Sequence, residues 1–225
     1  MDSQPQERPM RSRLLAEFLG TASIVTAVLG AGFMVQNLQA EPALGLFMIA
    51  TSVAGVLFVS ISVFGPYSGA HFNPIVSLAF YSLKQFDSKE LLSYVAAQLV
   101  GALSGAVLAN LMFGKSLAFS EISRISTGTF IGEIVASAGL VLLILQLIQI
   151  GKMNLTAPAV ALWILAGHIF TSSTSFANPA VTIGRIFSSA PSGIDFYSAA
   201  WFVLAQLIGM FIAVAIFTQF RKVKL

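Results

Sequence analysis

The sequence predicts an all-α membrane protein with six transmembrane helices plus two re-entrant half-helices, arranged as an inverted repeat. Three observations carry this. Hydrophobic residues make up 56% of the 225 and charged residues only 9%, whereas a soluble domain holds about 25% charged residues. Six apolar runs approach or exceed the roughly 20 residues that cross a bilayer. An Asn-Pro pair occurs twice, at Asn73-Pro74 and Asn178-Pro179, each time opening an apolar run too short to span.

A lipid-facing surface needs no charge, so the composition places the chain in a membrane. The formal net charge of +3 does not point to nucleic acid, because the basic residues sit in tails and loops beside apolar segments, where orientation signals lie. The chain has no cysteine, which excludes disulfides, thiolate catalysis and Cys-ligated metals. The apolar run after Arg13 is longer than a signal-peptide core and takes part in the repeat described below, so it is read as a retained helix.

The spans fall at roughly 14–35, 43–64, 89–113, 129–150, 157–174 and 196–220. Gln36-Asn37 and Glu41-Pro42 separate the first two. Asp87, with Glu90 three residues on, has the form of a capping box before the third. The polar stretch from Lys115 to Gly128 precedes the fourth. Gly151 to Thr156 ends it, and Pro158 suits the first turn of the fifth. Six spans put both termini on one side, with Arg8, Arg11, Arg13, Lys84, Lys89, Lys152, Arg221, Lys222 and Lys224. Lys115, Arg124 and Arg185 fall on the other side. This bias makes the termini cytoplasmic.

The two leftover segments are 73–83 and 178–188. Asn is a good N-cap, because its side-chain oxygen accepts an orphan backbone N–H. Proline at the first helical position already has the right φ and lacks the donor. Each segment therefore reads as a short helix of about 16 Å, half the hydrocarbon thickness. Two such helices entering from opposite faces meet near the midplane. Non-helical backbone at that depth is tolerated only where it is buried in protein or lines a water-filled path.

Aligning the halves on the Asn-Pro pairs exposes the repeat. Ala16-Glu17-Phe18-Leu19 matches Gly132-Glu133-Ile134-Val135. Asn73-Pro74-Ile75-Val76-Ser77-Leu78 matches Asn178-Pro179-Ala180-Val181-Thr182-Ile183. Ala97-Gln98-Leu99-Val100-Gly101 matches Ala205-Gln206-Leu207-Ile208-Gly209. Three spans per half is an odd number, so the halves insert with opposite orientation. The chain is read as one domain over 1–225, with repeats at about 12–114 and 127–220. Carboxylates in lipid need partners. Glu17 and Glu133 are read as loop supports that accept backbone N–H groups of the re-entrant loop in their own half; the rival is a proton relay. Gln98 and Gln206 are read as bonding loop backbone too.

The run Ser68-Gly69-Ala70-His71-Phe72-Asn73-Pro74, the second motif Asn178-Pro179-Ala180 and the paired Glu and Gln positions resemble the aquaporin or major intrinsic protein family. The resemblance covers roughly residues 12–220. It implies an aquaporin-like fold in the cell inner membrane, a homotetramer with one pore per protomer, and passive single-file passage of water or small uncharged solutes. It implies no cofactor, no metal and no nucleic-acid partner. At the pore midplane it places Asn73, Pro74 and Ile75 with Asn178, Pro179 and Ala180. The two Asn side chains donate to the permeant, and the half-helix N-termini oppose cations and protons.

The family also implies an outer selectivity filter of four positions, one usually an arginine directly after the second motif. Here Val181 stands there, and the nearest arginine is Arg185. A residue at i+4 shares the helix face, so Arg185 is read as lining the pore about 6 Å further out; the rival is snorkelling to the interface. The other filter positions are Val53, His168, and Ser175 or Phe176, depending on where a two-residue gap falls. Val53 and Val181 imply a roomy pore that admits glycerol-like polyols or metalloid acids such as arsenite, whereas His168 in the filter favours water. Ile75 replaces the usual alanine where the half-helices abut. His71 matches the loop histidine, either as a pH sensor or as a partner of loop backbone. The rival function is a secondary transporter, which needs coupling-ion ligands at the midplane. No nucleophile motif supports an enzyme.

Overall fold

The computed structural model describes residues 8–221; Lys222, Lys224 and the Arg221 side chain lie outside what is described. The described residues form eight α-helices: α1 (Met10–Asn37), α2 (Pro42–Ser68), α3 (Pro74–Ser82), α4 (Ser88–Met112), α5 (Thr127–Gln149), α6 (Thr156–Phe170), α7 (Pro179–Gly184) and α8 (Phe196–Arg221). Six of these regions are long and apolar enough to cross a membrane, α6 together with the 3₁₀ turn Met153–Leu155 before it. The order long, long, short, long occurs twice, as α1–α4 and α5–α8. The protein is an all-helical, six-span bundle with two short inserted helices.

Local chemistry sets the helix starts. Asp87 Oδ1 accepts the Glu90 N–H at 2.7 Å while Glu90 Oε2 accepts the Asp87 N–H at 3.2 Å, completing the capping box of α4. Ser126 and Thr129 make the equivalent box for α5. Asn73 and Asn178 cap α3 and α7, each followed by proline at the first helical position.

The first span starts at Met10 rather than 14 and the second runs on to Ser68 rather than 64; two further ends differ where they shape the second re-entrant loop. The fifth span stops at Phe170, not 174. The Thr171 hydroxyl donates to the Gly167 carbonyl and accepts the Ser175 N–H, turning the chain into the second re-entrant loop. The second half-helix, expected over 178–188, is α-helical only through Gly184 and continues as a 3₁₀ turn, Arg185–Phe187. Its terminal carbonyls serve other segments: Ile194 N–H donates to Arg185 O and Ser120 N–H to Ile186 O.

The most extensive helix pairings are α1 with α4 and α5 with α8, the same pairing in each half. They are close because of glycine. A Cβ on Gly101 would lie 2.5 Å from the Phe18 carbonyl oxygen, and one on Gly105 2.4 Å from that of Ala22. In the other half, Gly209 would meet the Ile134 carbonyl at 2.6 Å. Phe18 and Ile134 each follow the buried glutamate, so close backbone packing fixes the helix that carries the carboxylate. Overpacking against backbone that cannot yield costs about 2 kcal/mol, so Gly101→Ala is expected to lower the thermal midpoint in detergent. Gly55→Ala, with nothing within 4 Å of its added Cβ, should leave the midpoint unchanged or raise it.

Candidate functional site

Each re-entrant loop is bent by the same backbone device. Ala70 and Phe72 have φ of 52° and 49°; Ser175 and Ala177 have 49° and 46°. These are the third and first residues before each Asn. Non-glycine residues in this left-handed region cost of the order of 1 kcal/mol or more each and persist only where the surroundings over-determine them.

The buried glutamates supply that constraint. Glu17 Oε1 accepts the His71 N–H at 2.9 Å and the Ser68 hydroxyl at 2.6 Å, and Oε2 accepts the Phe72 N–H at 2.6 Å. Glu133 accepts the Phe176 and Ala177 N–H groups, both at 2.9 Å. The glutamines do not bond loop backbone. Gln98 Nε2 donates to Glu17 at 2.8 Å and to the Ser77 hydroxyl at 3.1 Å; Gln206 Nε2 donates to Glu133 at 2.7 Å and to the Thr182 hydroxyl at 2.9 Å. Each glutamine ties the carboxylate of one long helix to the first turn of a short one.

The asparagines lock the loops to each other. Asn73 Nδ2 donates to the Ala177 carbonyl and Asn178 Nδ2 to the Phe72 carbonyl, both at 2.8 Å. Asn73 Oδ1 caps the Ile75 N–H, and Asn178 Oδ1 caps those of Ala180 and Val181. An amide NH₂ has two hydrogens, so each Asn keeps one donor beyond the cross-tie.

Both asparagines border a cavity of about 540 Å³. It runs from Pro66 and Asn154, at the α2 end and the α6 start, past Asn73 and Asn178 to His168 and Arg185. Its lining also holds Val53, Ser175, Phe176, Val181 and His71. Pro74, Ile75, Pro179 and Ala180 do not line it. Ile75 is fully buried among Val141, Leu145, Met210 and Phe217 of α5 and α8, in a different cluster from Ala180, so it fills the bundle core rather than a seam against α7. His71 bonds no loop backbone through its ring: Nδ1 lies 2.9 Å from the Ser77 hydroxyl and the ring stacks on Phe80 at 4.7 Å.

At the other end, His168 Nδ1 lies 2.8 Å from the Ile164 carbonyl, which can only accept, so in the neutral imidazole Nε2 is left as an acceptor. The buried Arg185 lays its guanidinium over the Phe176 ring, 3.3 Å from the centroid, and donates Nε–H to the Ser192 carbonyl at 2.6 Å. The Ser175 hydroxyl is buried with no hydrogen-bond partner among the described residues.

Polar groups of both re-entrant loops and apolar side chains thus line one cavity, which both Asn caps border. The profile of the major intrinsic protein family matches residues 5–175. An aquaglyceroporin of Rhizobium meliloti (strain 1021), AqpS, is 40% identical over 212 residues, 94% of this chain and 91% of its own. The chain belongs to the major intrinsic protein family. It is therefore a multi-pass membrane protein. An aquaglyceroporin of Toxoplasma gondii is 32% identical over 183 residues, covering 79% of this chain and 65% of that one. The X-ray structure of the Plasmodium falciparum aquaglyceroporin superposes with a TM-score of 0.72 over 94% of this chain and 95% of its own, at 23% identity, and so shares the major intrinsic protein fold.

Sequence reasoning passed over several residues of this site. Ser77 and Thr182 stand at matching positions, four residues after each Asn, and that match was their visible signal. Ser68 has the matching hydroxyl Ser173 five residues before the second Asn. Ser192 and the carbonyls of Phe72 and Ala177 carried no signal, because backbone oxygens look alike in any sequence.

Proposed function

We propose that the chain is a passive channel for water and small uncharged solutes of the glycerol type. The observation that carries this reading is the single cavity that passes both Asn-capped helix starts and continues to His168 and Arg185. Its wall is mixed. Ile24, Val28, Leu57, Val160 and Ile164 offer apolar surface, while Asn73, Asn178, Ser175, His168 and Arg185 offer polar groups. A polyol carries C–H on one side and hydroxyls on the other, which suits such a passage. The free hydrogens of Asn73 and Asn178 donate to the permeant, and the facing helix starts disfavour cations. The names of the relatives favour the same solutes: two aquaglyceroporins and a propanediol uptake facilitator. Metalloid acids such as arsenite belong to the same class of small neutral hydroxyl compounds.

We read the outer constriction as Val53, His168, Ser175, Phe176, Val181 and Arg185, with Arg185 as its cation. Glu17 and Glu133 are occupied by their loops and not available as coupling-ion ligands. This favours a channel over a secondary transporter. The assembly reading is a homotetramer in the inner membrane with both termini cytoplasmic, on the positive-inside bias.

Swelling of proteoliposomes tests the function. The protein should admit water and glycerol, exclude sucrose, and show rates independent of any ion gradient. Failure to pass any neutral solute sinks the channel. His168→Ala should raise the glycerol-to-water permeability ratio severalfold; an unchanged ratio removes His168 from the filter.

A further inference from the structure

Arg185 has no carboxylate partner: the one ion pair among the described residues is Arg13 with Glu90, at 2.6 Å. Its orientation rests on the Ser192 carbonyl and the Phe176 ring. That carbonyl belongs to Pro191-Ser192-Gly193, a turn between helices closed by the Gly193 N–H donating to the Ala190 carbonyl at 2.7 Å. A second arginine holds the segment. Arg124 Nε donates to the Gly193 carbonyl at 2.6 Å and its NH2 group to the Pro191 carbonyl at 2.7 Å. The two peptide oxygens flanking Ser192 O are thus gripped by one guanidinium, whose planar fork suits that task.

Arg124 is itself anchored. Its N–H donates to the Ser198 hydroxyl at 2.9 Å, and its carbonyl accepts the Thr129 hydroxyl at 2.8 Å. Asp195 in turn accepts the Ser198 N–H and hydroxyl. The Ser192 hydroxyl reaches the Val28 carbonyl at 2.8 Å, into space that Gly32 leaves open. Arg124 also lies 5.6 Å from the centroid of Phe176, the ring that Arg185 covers. Yet Arg124 does not line the cavity.

We infer that Arg124 is a specificity-determining positioning residue: by clamping the Pro191 and Gly193 carbonyls it fixes Ser192 O and so sets where the Arg185 guanidinium stands in the passage. The inference rests on the reading of Arg185 as a filter residue. Without the clamp the 191–193 segment relaxes, Arg185 loses its fixed acceptor, and the opening becomes less discriminating. Arg124 acts only through Arg185.

The test is a double-mutant cycle in proteoliposomes, read as the ratio of ribitol to water permeability. Arg185→Ala should raise the ratio. Arg124→Ala should raise it in the same direction by about fivefold, a size usual for residues coupled in one hydrogen-bonded network. In the Arg185→Ala background, Arg124→Ala should add nothing. Arg124→Lys keeps the charge but cannot bridge both carbonyls in a fork, and should fall between wild type and Arg124→Ala. If Arg124→Ala does not assemble, Arg124→Lys carries the cycle alone. A wild-type ratio for the Arg124 variants, or an equal rise with and without Arg185, overturns the inference and leaves the filter reading standing. A wild-type ratio for Arg185→Ala overturns both.

Discussion

Glu133→Ala is expected to destabilise the folded protein strongly. The carboxylate accepts the Phe176 and Ala177 N–H groups and the Gln206 amide, all buried. Truncation leaves these donors facing a hole. A buried donor without a partner costs about 1–3 kcal/mol, and three donors lose theirs here. The loop also loses what holds Ser175 and Ala177 at positive φ. The variant should unfold in detergent at a midpoint lower by about 10 °C, followed through the fluorescence of Trp163 and Trp201. Glu133→Gln should be nearly as damaging, because its amide nitrogen brings a donor where donors already converge. Gln206→Ala should cost about 1 kcal/mol, the usual net value of one hydrogen bond. A wild-type melt for Glu133→Ala would show that the carboxylate does not support the loop.

Asn178→Ala should be the second severe change. It removes the cap of α7, worth about 1–2 kcal/mol, and strips the buried Phe72 carbonyl of its donor, for about 1 kcal/mol or more. The total is about 3 kcal/mol, and the loss falls where the halves join. Asn73→Ala removes the reciprocal tie to Ala177. Since the ties share one junction, the double variant should cost less than the sum of the two singles. Water permeability of either single variant should approach that of protein-free vesicles. The readouts are the thermal midpoint and the swelling rate at matched protein density. Strict additivity, or swelling at the wild-type rate, would refute the idea that the cross-tie holds the passage in shape.

Some of this site is written locally. Asn followed by Pro specifies a helix start wherever it stands, and α3 and α7 begin there. Matched Glu and Gln positions were visible because two copies of one pattern lie in one chain. The partners of Gln98 and Gln206 were misread, since a glutamine amide bonds a carboxylate or hydroxyl as readily as a peptide. Ile75 was misplaced for a related reason: a short helix has two sides, and only packing against α5 and α8 decides which one faces the core. Gly101 and Gly105 are two among 18 glycines, and their role appears only beside the Phe18 and Ala22 carbonyls.

By itself the sequence determined the membrane, the six spans, the two half-helices and the duplication. Hydropathy, capping and proline act over a few neighbouring residues and survive without tertiary context. Only the tertiary structure decided where the second Asn-Pro helix tightens into a 3₁₀ turn, where Arg185 lies, and that Arg124 grips the segment holding it. These depend on carbonyls and rings brought together from residues 124, 176, 185 and 192, distances that no local pattern encodes. The sequence marks Asn73 and Asn178 as the two helix starts that border the cavity; close packing of the loops set its shape around Arg185.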